Sequence, residues 1–375
     1  MEIFRIIFAV VATLVMVGLN TYVYRRFLAK LKPLQKYRTF FKWLVIVISL
    51  CELLFFLTLR SSQMPSSLFT LFSSLIGMSF MFFCLAIVYD IFHIPLKKIP
   101  FDKSRRLMLK TILDVTMLIL ALSYILRGFF NGFKKPAIKE VNITIKGLKR
   151  ELNIVQISDV HIGKSLGKEF MENIVKDINT LDADIVVITG DLVDLHVDNI
   201  EDKLDSLKEI KSRFGVYFVS GNHEYFHGVV AICEHLKSLH VKVLTNESVV
   251  IDGLINLAGI TDLMGRRLGI LKPDLQKALL HVDSNLPTVL LAHQPKITNE
   301  LKNEKIDLIL SGHTHAGQIF PFGLLVLLDQ PYLKGLYQHS KNTQIFVSSG
   351  AGYWGPPIRV MAPSEIVKIR LNPSL

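Results

Sequence analysis

Residue types that commonly bind metal ions follow short apolar segments at five places in the second half of the chain. They are Asp159 and His161, then Asp191, then Asn222, His223 and Glu224, then His293, and finally His313 and His315. Carboxyl ends of parallel strands share one edge of a sheet, and ligands gather there in open α/β folds. A mixed set of His, Asp and Asn side chains suits Mn²⁺, Fe or Zn²⁺ better than Ca²⁺. The sequence therefore predicts a metal centre at this edge.

Two of these groups, Asp159 with His161 and His313 with His315, have their members two residues apart. In an extended chain such residues point to the same side, so we expect each pair to be able to reach one metal. A lone His at a strand end is commonly structural, and a lone Asp before a helix is commonly a cap. Five strand ends carrying such residues indicate a common site.

The segments before these residues are rich in Val, Ile and Leu, as in strands buried on both faces. Nine strands are predicted, at 141–145, 152–158, 183–189, 215–220, 254–260, 288–293, 306–312, 343–349 and 365–371. Amphipathic helices are predicted between them, at 168–180, 203–212, 229–238, 274–280 and 297–303. This pattern indicates two packed sheets with helices outside, in one domain over 151–375 that follows a linker and first strand at 131–150.

Taken in order, Asp-x-His, Gly-Asp, Gly-Asn-His-Glu, His and Gly-His-Thr-His resemble the calcineurin-like metallophosphoesterases over about residues 150–371. Residues 315–318 and 350–359 resemble the membrane-attached bacterial branch of that family, although Ala316 stands where that branch commonly has Gly. The resemblance implies a four-layer α-β-β-α sandwich. It also implies a hydrolase that uses two divalent ions, with Mn²⁺ preferred over Fe or Zn²⁺.

The resemblance also implies a role for each matching residue. Asp159, His161 and His315 would bind the first ion, Asp191 would bridge, and Asn222, His293 and His313 would bind the second. His223 would be the acid that protonates the leaving group, a role that suits an imidazole near neutral pH. Two ions about 3.5–4 Å apart can activate a hydroxide and clamp the attacking and leaving oxygens.

Other charged residues near these motifs allow two interpretations each. Arg266 and Arg267 bind substrate phosphate through their forked donors, or form a solvated pair. Arg359, after a Gly- and Pro-rich turn, approaches the site or braces it. Glu224 orients the neighbouring imidazole, pairs with another neighbour or is a solvated loop carboxylate. Asp194 is a cap or supports the ligands from behind.

The first 130 residues are predicted to form a transmembrane module. Apolar segments cover 6–24, 43–59, 68–89 and 111–126, and a helix needs roughly 20 such residues to cross a bilayer. The second segment is borderline. The fourth is short enough for an interfacial or buried helix, and the first could be a signal peptide. Glu52 and Asp114 indicate either a polar pathway, or pairing inside the bundle or a place near a helix end.

Charge divides the chain in two. Residues 1–150 contain 22 Lys and Arg against 6 Asp and Glu, whereas residues 151–375 contain 21 against 26. An acidic second half argues against nucleic-acid binding. Two basic loops, after the first and third apolar segments, are expected in the cytoplasm, which places the catalytic domain outside the inner membrane. Arg127, Lys134, Lys135 and Lys139, after the fourth segment, favour the opposite orientation.

We therefore expect a multi-pass, membrane-anchored, metal-dependent phosphoesterase acting on a lipid-linked or envelope substrate. Residues 319–328 form either a buried element or an apolar lip that touches the bilayer or an acyl chain. One alternative is a UDP-2,3-diacylglucosamine pyrophosphatase-type enzyme of lipid A synthesis, which needs a cytoplasmic domain. Others are a non-catalytic scaffold, and a helical bundle that acts as a sensor or transporter. A homo-oligomer is possible, but no sequence feature supports it.

Overall fold

The computed structural model describes residues 2–58 and 64–374. The chain divides into two compact units, a helical unit of residues 1–133 with 355–360 and a second unit of residues 134–354 with 361–375. The division after Phe133 lies close to the predicted boundary at 130. Residues 355–360, expected in the catalytic domain, instead group with the helices. Leu59, the predicted end of the second apolar segment, lies outside the described residues.

The helical unit contains four long helices. They are α1 (Glu2–Val23), α2 (Arg38–Thr58), α3 (Ser66–Lys98) and α4 (Lys103–Phe133), and a π-helical turn (Tyr24–Leu28) and a 3₁₀ helix (Lys32–Tyr37) join the first two. All four are long and apolar enough to cross a membrane. The fourth, doubtful from its apolar segment alone, reaches 31 residues because charged residues extend its helix. Apolar side chains on the outer faces, such as Leu14 and Phe130, are exposed.

Acidic side chains inside the helical unit are paired. Glu52 is fully buried and accepts a hydrogen bond from the Ser79 hydroxyl at 2.6 Å. Asp114 is also fully buried, and it accepts from the Tyr89 hydroxyl at 2.9 Å and pairs with Lys110 at 2.5 Å. Buried charges require such partners in an apolar environment. Of the two interpretations of these carboxylates, pairing inside the bundle is the one observed.

Residues 355–360 pack against glycines of the helical unit. A Cβ atom at Gly132 would lie 2.0 Å from the carbonyl oxygen of Pro357, and one at Gly128 would lie 2.8 Å from Ile358. The Arg359 backbone N–H donates to the Gly128 carbonyl at 2.9 Å. Small residues four apart leave a groove on one face of a helix, into which another backbone fits closely. Gly128 and Gly132 form such a groove on α4.

As far as the structure describes it, to residue 374, the second unit contains twelve strands in two sheets. They are β1 (Ala137–Ile145), β2 (Leu152–Ile157), β3 (Ile185–Thr189), β4 (Val216–Val219), β5 (Val241–Val243), β6 (Glu247–Ile251), β7 (Ile255–Gly259), β8 (Thr288–Leu291), β9 (Leu308–Ser311), β10 (Gly335–Gln338), β11 (Gln344–Val347) and β12 (Glu365–Pro373). The first sheet has the order β1-β12-β2-β3-β4-β5 and the second has the order β10-β11-β9-β8-β7-β6.

Helices of the second unit are short. They are α5 (Lys168–Ile178), α6 (Glu201–Leu204), α7 (Asn222–His227), α8 (Val229–Ser238), α9 (Met264–Leu268), α10 (Leu275–Ala278) and α11 (Gly323–Val326). Residues 295–300 and 205–209 form 3₁₀ helices where longer helices were predicted. At several places, therefore, the predicted helix was longer than the observed one.

Three apolar layers hold the second unit together. One lies between the sheets and includes Ile154, Val187 and Leu310. Another joins the first sheet to α5 and α8, and the third covers the far side of the second sheet. The predicted four-layer α-β-β-α sandwich is therefore confirmed. All nine predicted strands are present, and the strands β5, β6 and β10 were missed because they are short or carry polar residues.

Parallel pairing brings the strand ends together. The strands β2, β3 and β4 are parallel neighbours in register, with Ile157 beside Ile188 and Ile188 beside Phe218. In the second sheet β8 and β9 are likewise parallel. The segments that follow these five strands carry the predicted metal ligands, so the topology delivers them to the carboxyl edges of the two sheets.

Candidate metal centre

Two groups of three side chains converge at these strand ends. The first contains Asp159, His161 and His315, and the second contains Asp191, His293 and His313. In each group, one nitrogen or oxygen atom from every residue lies within 4.8 Å of the others. Two ligands of one ion with bonds of about 2.1 Å lie at most about 4.2 Å apart, so only small shifts separate these groups from coordination.

In the first group, ring nitrogens face a common point. His161 Nε2 lies 2.9 Å from His315 Nε2, and His315 Nε2 lies 3.3 Å from Asp159 Oδ1. All three residues are buried. Two imidazole nitrogens and a carboxylate oxygen aimed at one point form a donor set that suits a divalent transition metal.

The second group includes an amide oxygen as well. His293 Nε2 lies 3.1 Å from Asp191 Oδ2, 3.2 Å from Asn222 Oδ1 and 3.3 Å from His313 Nδ1. The other ring nitrogen of His293, Nδ1, lies 2.8 Å from the carbonyl oxygen of Thr189. A neutral imidazole donating through Nδ1 leaves the Nε2 lone pair for a metal. The donor set of this group also fits a divalent ion.

Backbone conformation at the ligands differs from the one expected. Asp159 and His161 have φ values of 52° and 54°, and Asp191, His313 and His315 are also positive, between 48° and 72°. The extended-chain reasoning for Asp159 and His161 is therefore wrong, although both side chains do reach one group. His313 and His315 reach different groups, as the resemblance implies. Left-handed conformations at non-glycine residues cost energy and cluster at functional sites.

Two glycines of the motifs are required by close approach. A Cβ atom at Gly312 would lie 1.9 Å from Ser158 Oγ and 2.2 Å from Asp159 Oδ2. A Cβ atom at Gly221 would lie 2.2 Å from Asp191 Oδ1. The two carboxylates therefore occupy the space that a side chain would fill, which explains why glycine precedes His313 and Asn222.

Asp194 connects the first group to His223. One oxygen, Oδ1, lies 2.8 Å from His161 Nδ1 and 2.7 Å from His223 Nδ1. Burial opposes ionisation, but the two imidazoles hold the pKa of Asp194 well below its usual range. An ionised carboxylate only accepts hydrogen bonds, so both imidazoles donate to it. Sequence analysis left Asp194 as a cap or a supporting residue, and its position three residues after Asp191 was the available signal.

His223 is placed to carry a proton. Its Nε2 lies 3.9 Å from Asp191 Oδ2. Burial disfavours the charged ring, but the carboxylates of Asp191 and Asp194 outweigh this and raise the pKa of His223 to about 9. A protonated imidazole with its Nε2 directed toward the metal groups is the arrangement that a leaving-group acid needs.

Glu224 is a buried backbone acceptor. Its carboxylate accepts from the backbone N–H groups of Gly221 at 2.6 Å, Asp191 at 3.0 Å, Leu192 at 2.8 Å and Val193 at 3.2 Å. The side chain is fully buried. Of the three interpretations of Glu224, pairing with neighbouring groups is the one observed, and the carboxylate that contacts the His223 imidazole is that of Asp194. Glu224 fixes the turn that presents Asp191.

The three arginines considered for substrate binding lie outside the two groups of candidate metal ligands. Arg266 forms a bidentate ion pair with Glu300, with both distances 2.6 Å, and Arg267 is exposed on the short helix α9. Arg359 is only 1% exposed and groups with the helical unit. The structure brings none of the three into the groups of candidate ligands, and their role in substrate binding stays a prediction.

An exposed apolar surface lies next to the candidate site. Trp354 and Phe226 flank His223, with ring centroids 6.0 and 5.8 Å from the imidazole. Trp354 exchanges two hydrogen bonds with Gln318, which directly precedes the apolar residues 319–328. We call this surface the apolar rim, and its exposed members are Phe226, Phe320, Phe322, Leu324, Leu325, Leu327, Leu328 and Trp354. Residues 319–328 are therefore not a buried element.

Comparison with known proteins identifies the family. The calcineurin-like phosphoesterase family matches residues 152–317. An uncharacterized metallophosphoesterase of Helicobacter pylori is 44% identical over 92% of this chain and 92% of its own length. One of Campylobacter jejuni is 33% identical over 98% of both chains. A Bos taurus protein named as a transmembrane protein with a metallophosphoesterase domain is 38% identical over 72% of this chain and 64% of its own.

Members of this family typically bind divalent metals, and the two groups of His and Asp residues provide donor sets for them. Four candidate membrane helices, together with relatives named as transmembrane proteins, indicate membrane association. The resemblance inferred from the motifs is confirmed, and the chain belongs to the calcineurin-like metallophosphoesterases, a family of hydrolases.

Proposed function

We propose that this protein hydrolyses a phosphate ester or pyrophosphate of a lipid-linked or envelope substrate, with two divalent ions, Mn²⁺ first, held by the two groups described above. The observation that carries the proposal is the convergence of six His and Asp ligand atoms in two groups, with Asn222 beside the second. When bound, such ions supply Lewis acidity and lower the pKa of nearby water.

The protein's own residues position the reactants around that centre. Asp191, whose backbone N–H donates to the Glu224 carboxylate, would hold both ions through its two carboxylate oxygens. His223 donates a proton through Nε2 to the departing oxygen, while Asp194 holds Nδ1 and stabilises the charged ring. Trp354 and Phe226 shield the imidazole on two sides, which limits the access of bulk water.

The first experiment tests hydrolysis with purified full-length protein in detergent. Nitrophenyl phosphomonoester and diester substrates, offered after chelation and again with added Mn²⁺, should be cleaved only in the second condition. Asp191→Asn should reduce the bound metal below two ions per chain and abolish turnover. His223→Ala should retain metal but lose roughly 10²–10⁴-fold in rate, the usual contribution of a general acid.

His281→Ala, which changes an exposed histidine outside the site, is the matched control and should retain full activity. Undiminished hydrolysis after chelation would contradict the proposal. So would full activity of the Asp191→Asn variant.

The apolar rim supports a lipid-linked substrate. Leu328 is 84% exposed and Trp354 is 55% exposed, and an apolar surface of this kind on a soluble domain commonly marks a lipid or protein contact. Because Trp354 lies beside His223, an acyl chain on the rim would hold its phosphate near the candidate metal centre. A small soluble ester would not use this surface.

Substitutions in the rim should separate two kinds of substrate. Phe320→Ser with Phe322→Ser should slow hydrolysis of a diacylglycerol phosphate in mixed micelles by roughly tenfold or more, because burying one Phe contributes about 1.5–3 kcal/mol. Hydrolysis of nitrophenyl phosphate should be unchanged. Leu328→Ser provides a second rim variant, and Leu280→Ser changes an exposed leucine outside the rim as control. Equal losses on both substrates would count against the rim.

A further inference from the structure

The helical unit contains a cavity of about 270 Å³ that is separate from the candidate metal centre. Its walls come from the segment after α1, from the last turns of α3 and from the first turns of α4. The lining residues are Lys30, His93, Leu96, Lys97, Arg106 and Lys110. These segments belong to the two basic loops of the sequence, so the cavity lies at the end of the helices that the positive-inside rule assigns to the cytoplasm.

Positive charge dominates the cavity. Four of the six lining side chains are Lys or Arg. Lys110 is paired with Asp114, whereas no carboxylate pairs with Lys30, Lys97 or Arg106 within the described parts of the chain. Two other acidic groups of this region also have partners: Asp90 pairs with Arg26 at 2.6 Å, and the Asp102 carboxylate accepts from the Arg105 backbone N–H at 2.8 Å. Several cations gathered around one space repel one another unless an anion lies among them.

Two buried polar atoms at the cavity have no hydrogen-bond partner within residues 2–58 and 64–374. One is Nδ1 of His93, a residue only 3% exposed and stacked on Tyr89 with the ring centroids 4.9 Å apart. The other is Nε of Arg106, whose Nη2 donates to the Ile99 carbonyl at 3.1 Å. Both atoms can donate to an oxygen acceptor, and a buried donor without an acceptor is costly.

We propose that this cavity binds the phosphate group of an anionic phospholipid headgroup. Arg and Lys side chains are the usual phosphate ligands, and Arg offers a fork that matches two phosphate oxygens. Basic pockets between transmembrane helices on the cytoplasmic side bind anionic headgroups. The cavity is below the usual 300–1,000 Å³ range of drug-sized sites, which suits a headgroup rather than a whole lipid. Exposed apolar residues on α3 and α4, including Phe92 and Leu107, would contact the acyl chains.

Lipid binding to the full-length protein in detergent tests the proposal. Native mass spectrometry and thermal unfolding are followed with mixed micelles of phosphatidylglycerol, with phosphatidylcholine micelles, and with inorganic phosphate alone. Phosphatidylglycerol should form an adduct and raise the unfolding midpoint. Arg106→Gln and Lys97→Gln should each weaken phosphatidylglycerol binding by roughly tenfold or more, since each removes a charge-assisted contact.

Arg105→Gln and Lys103→Gln are the matched controls, because both residues are exposed, lie in the same loop or helix start, and lose the same charge. They should bind phosphatidylglycerol like the unmodified protein. An equal stabilisation by inorganic phosphate, lost in the same cavity variants, would retain the phosphate site but assign it to a free anion. Equal losses in cavity and control variants, or equal binding of phosphatidylcholine, would overturn the proposal. Lys97 is exposed, so Lys97→Gln decides the question even if Arg106→Gln fails to fold.

Discussion

A single carboxylate oxygen of Asp194 accepts from two imidazoles, His161 at 2.8 Å and His223 at 2.7 Å. The first imidazole is a candidate metal ligand and the second is the proposed acid. Groups that hold a ligating imidazole from behind set its tautomer and its orientation. In the proposed mechanism Asp194 would therefore couple metal binding to proton transfer, and strand patterns could not reveal its two hydrogen bonds.

Asp194→Asn should impair both properties. An amide can place its one oxygen between the two rings, but it is neutral, so it accepts more weakly and no longer stabilises the positive charge of a protonated His223. We expect a loss of about 10–100-fold in metal affinity or in kcat. The measurement is the Mn²⁺ concentration for half-maximal activity, together with kcat at saturation. Asp198→Asn, an exposed position on the same loop, is the control. If both the Mn²⁺ concentration for half-maximal activity and kcat of Asp194→Asn were within twofold of the unmodified protein, Asp194 would have no role in metal binding or catalysis.

Sequence alone identified the candidate ligands because apolar strands end immediately before them. It could not predict their left-handed backbone, since φ at Asp159 depends on how its loop meets the next strand. It also left three roles open for Glu224, because its role as an acceptor depends on the fold bringing Gly221 next to Asp191. Local sequence patterns thus identified the candidate ligands, whereas the hydrogen bonds that support these ligands could be identified only from the tertiary structure.

Among the helices and strands, α4 depends most clearly on small residues at one surface. Gly128 and Gly132 leave room for Pro357 and Ile358, and the Gly128 carbonyl accepts from the Arg359 N–H. The spacing of the two glycines is visible in the sequence, but it did not show which segment would fill the groove. The position of residues 319–328 could not be predicted either, because their apolar composition fits a buried element as well as the exposed surface that they form.

Gly132→Ala should destabilise the helical unit. The added Cβ would lie 2.0 Å from the Pro357 carbonyl oxygen, and overpacking of this kind costs about 1–3 kcal/mol. Thermal unfolding of the full chain in detergent should show a lower midpoint. Gly18→Ala in α1 is the control, because no atom lies within 4 Å of its Cβ position and Ala favours a helix. Equal midpoints for the two variants would show that the groove does not stabilise the unit.

At the scale of the whole molecule, charge asymmetry is the main indicator of orientation. Basic residues concentrate in and beside the connection between α1 and α2, and in the last turn of α3 and the first turns of α4. From this asymmetry the positive-inside rule predicts that the metallophosphoesterase unit lies outside the cytoplasm, an orientation that would favour an envelope substrate. The lipid A alternative needs the opposite side, where nucleotides are available.

A reporter fused to the C-terminus should therefore read as extracytoplasmic. Alkaline phosphatase fused there should be active, and a green fluorescent protein fusion should be dark, because each folds on only one side of the inner membrane. Replacing Lys36, Arg38 and Lys42 by Gln should weaken this orientation, since they supply part of the first basic loop. A fluorescent fusion with inactive phosphatase would favour a nucleotide-linked substrate instead.

Residues 355–360 follow most of the second unit in the sequence, but they belong to the helical unit. A truncated protein beginning at Lys134 would contain every candidate ligand, yet Pro356, Pro357 and Ile358 would lose the glycine-lined surface that covers them. Arg359 would lose its backbone acceptor as well. The truncated protein would therefore expose an apolar loop to water and tend to aggregate. Its activity is best measured in the full-length chain, with the helices present.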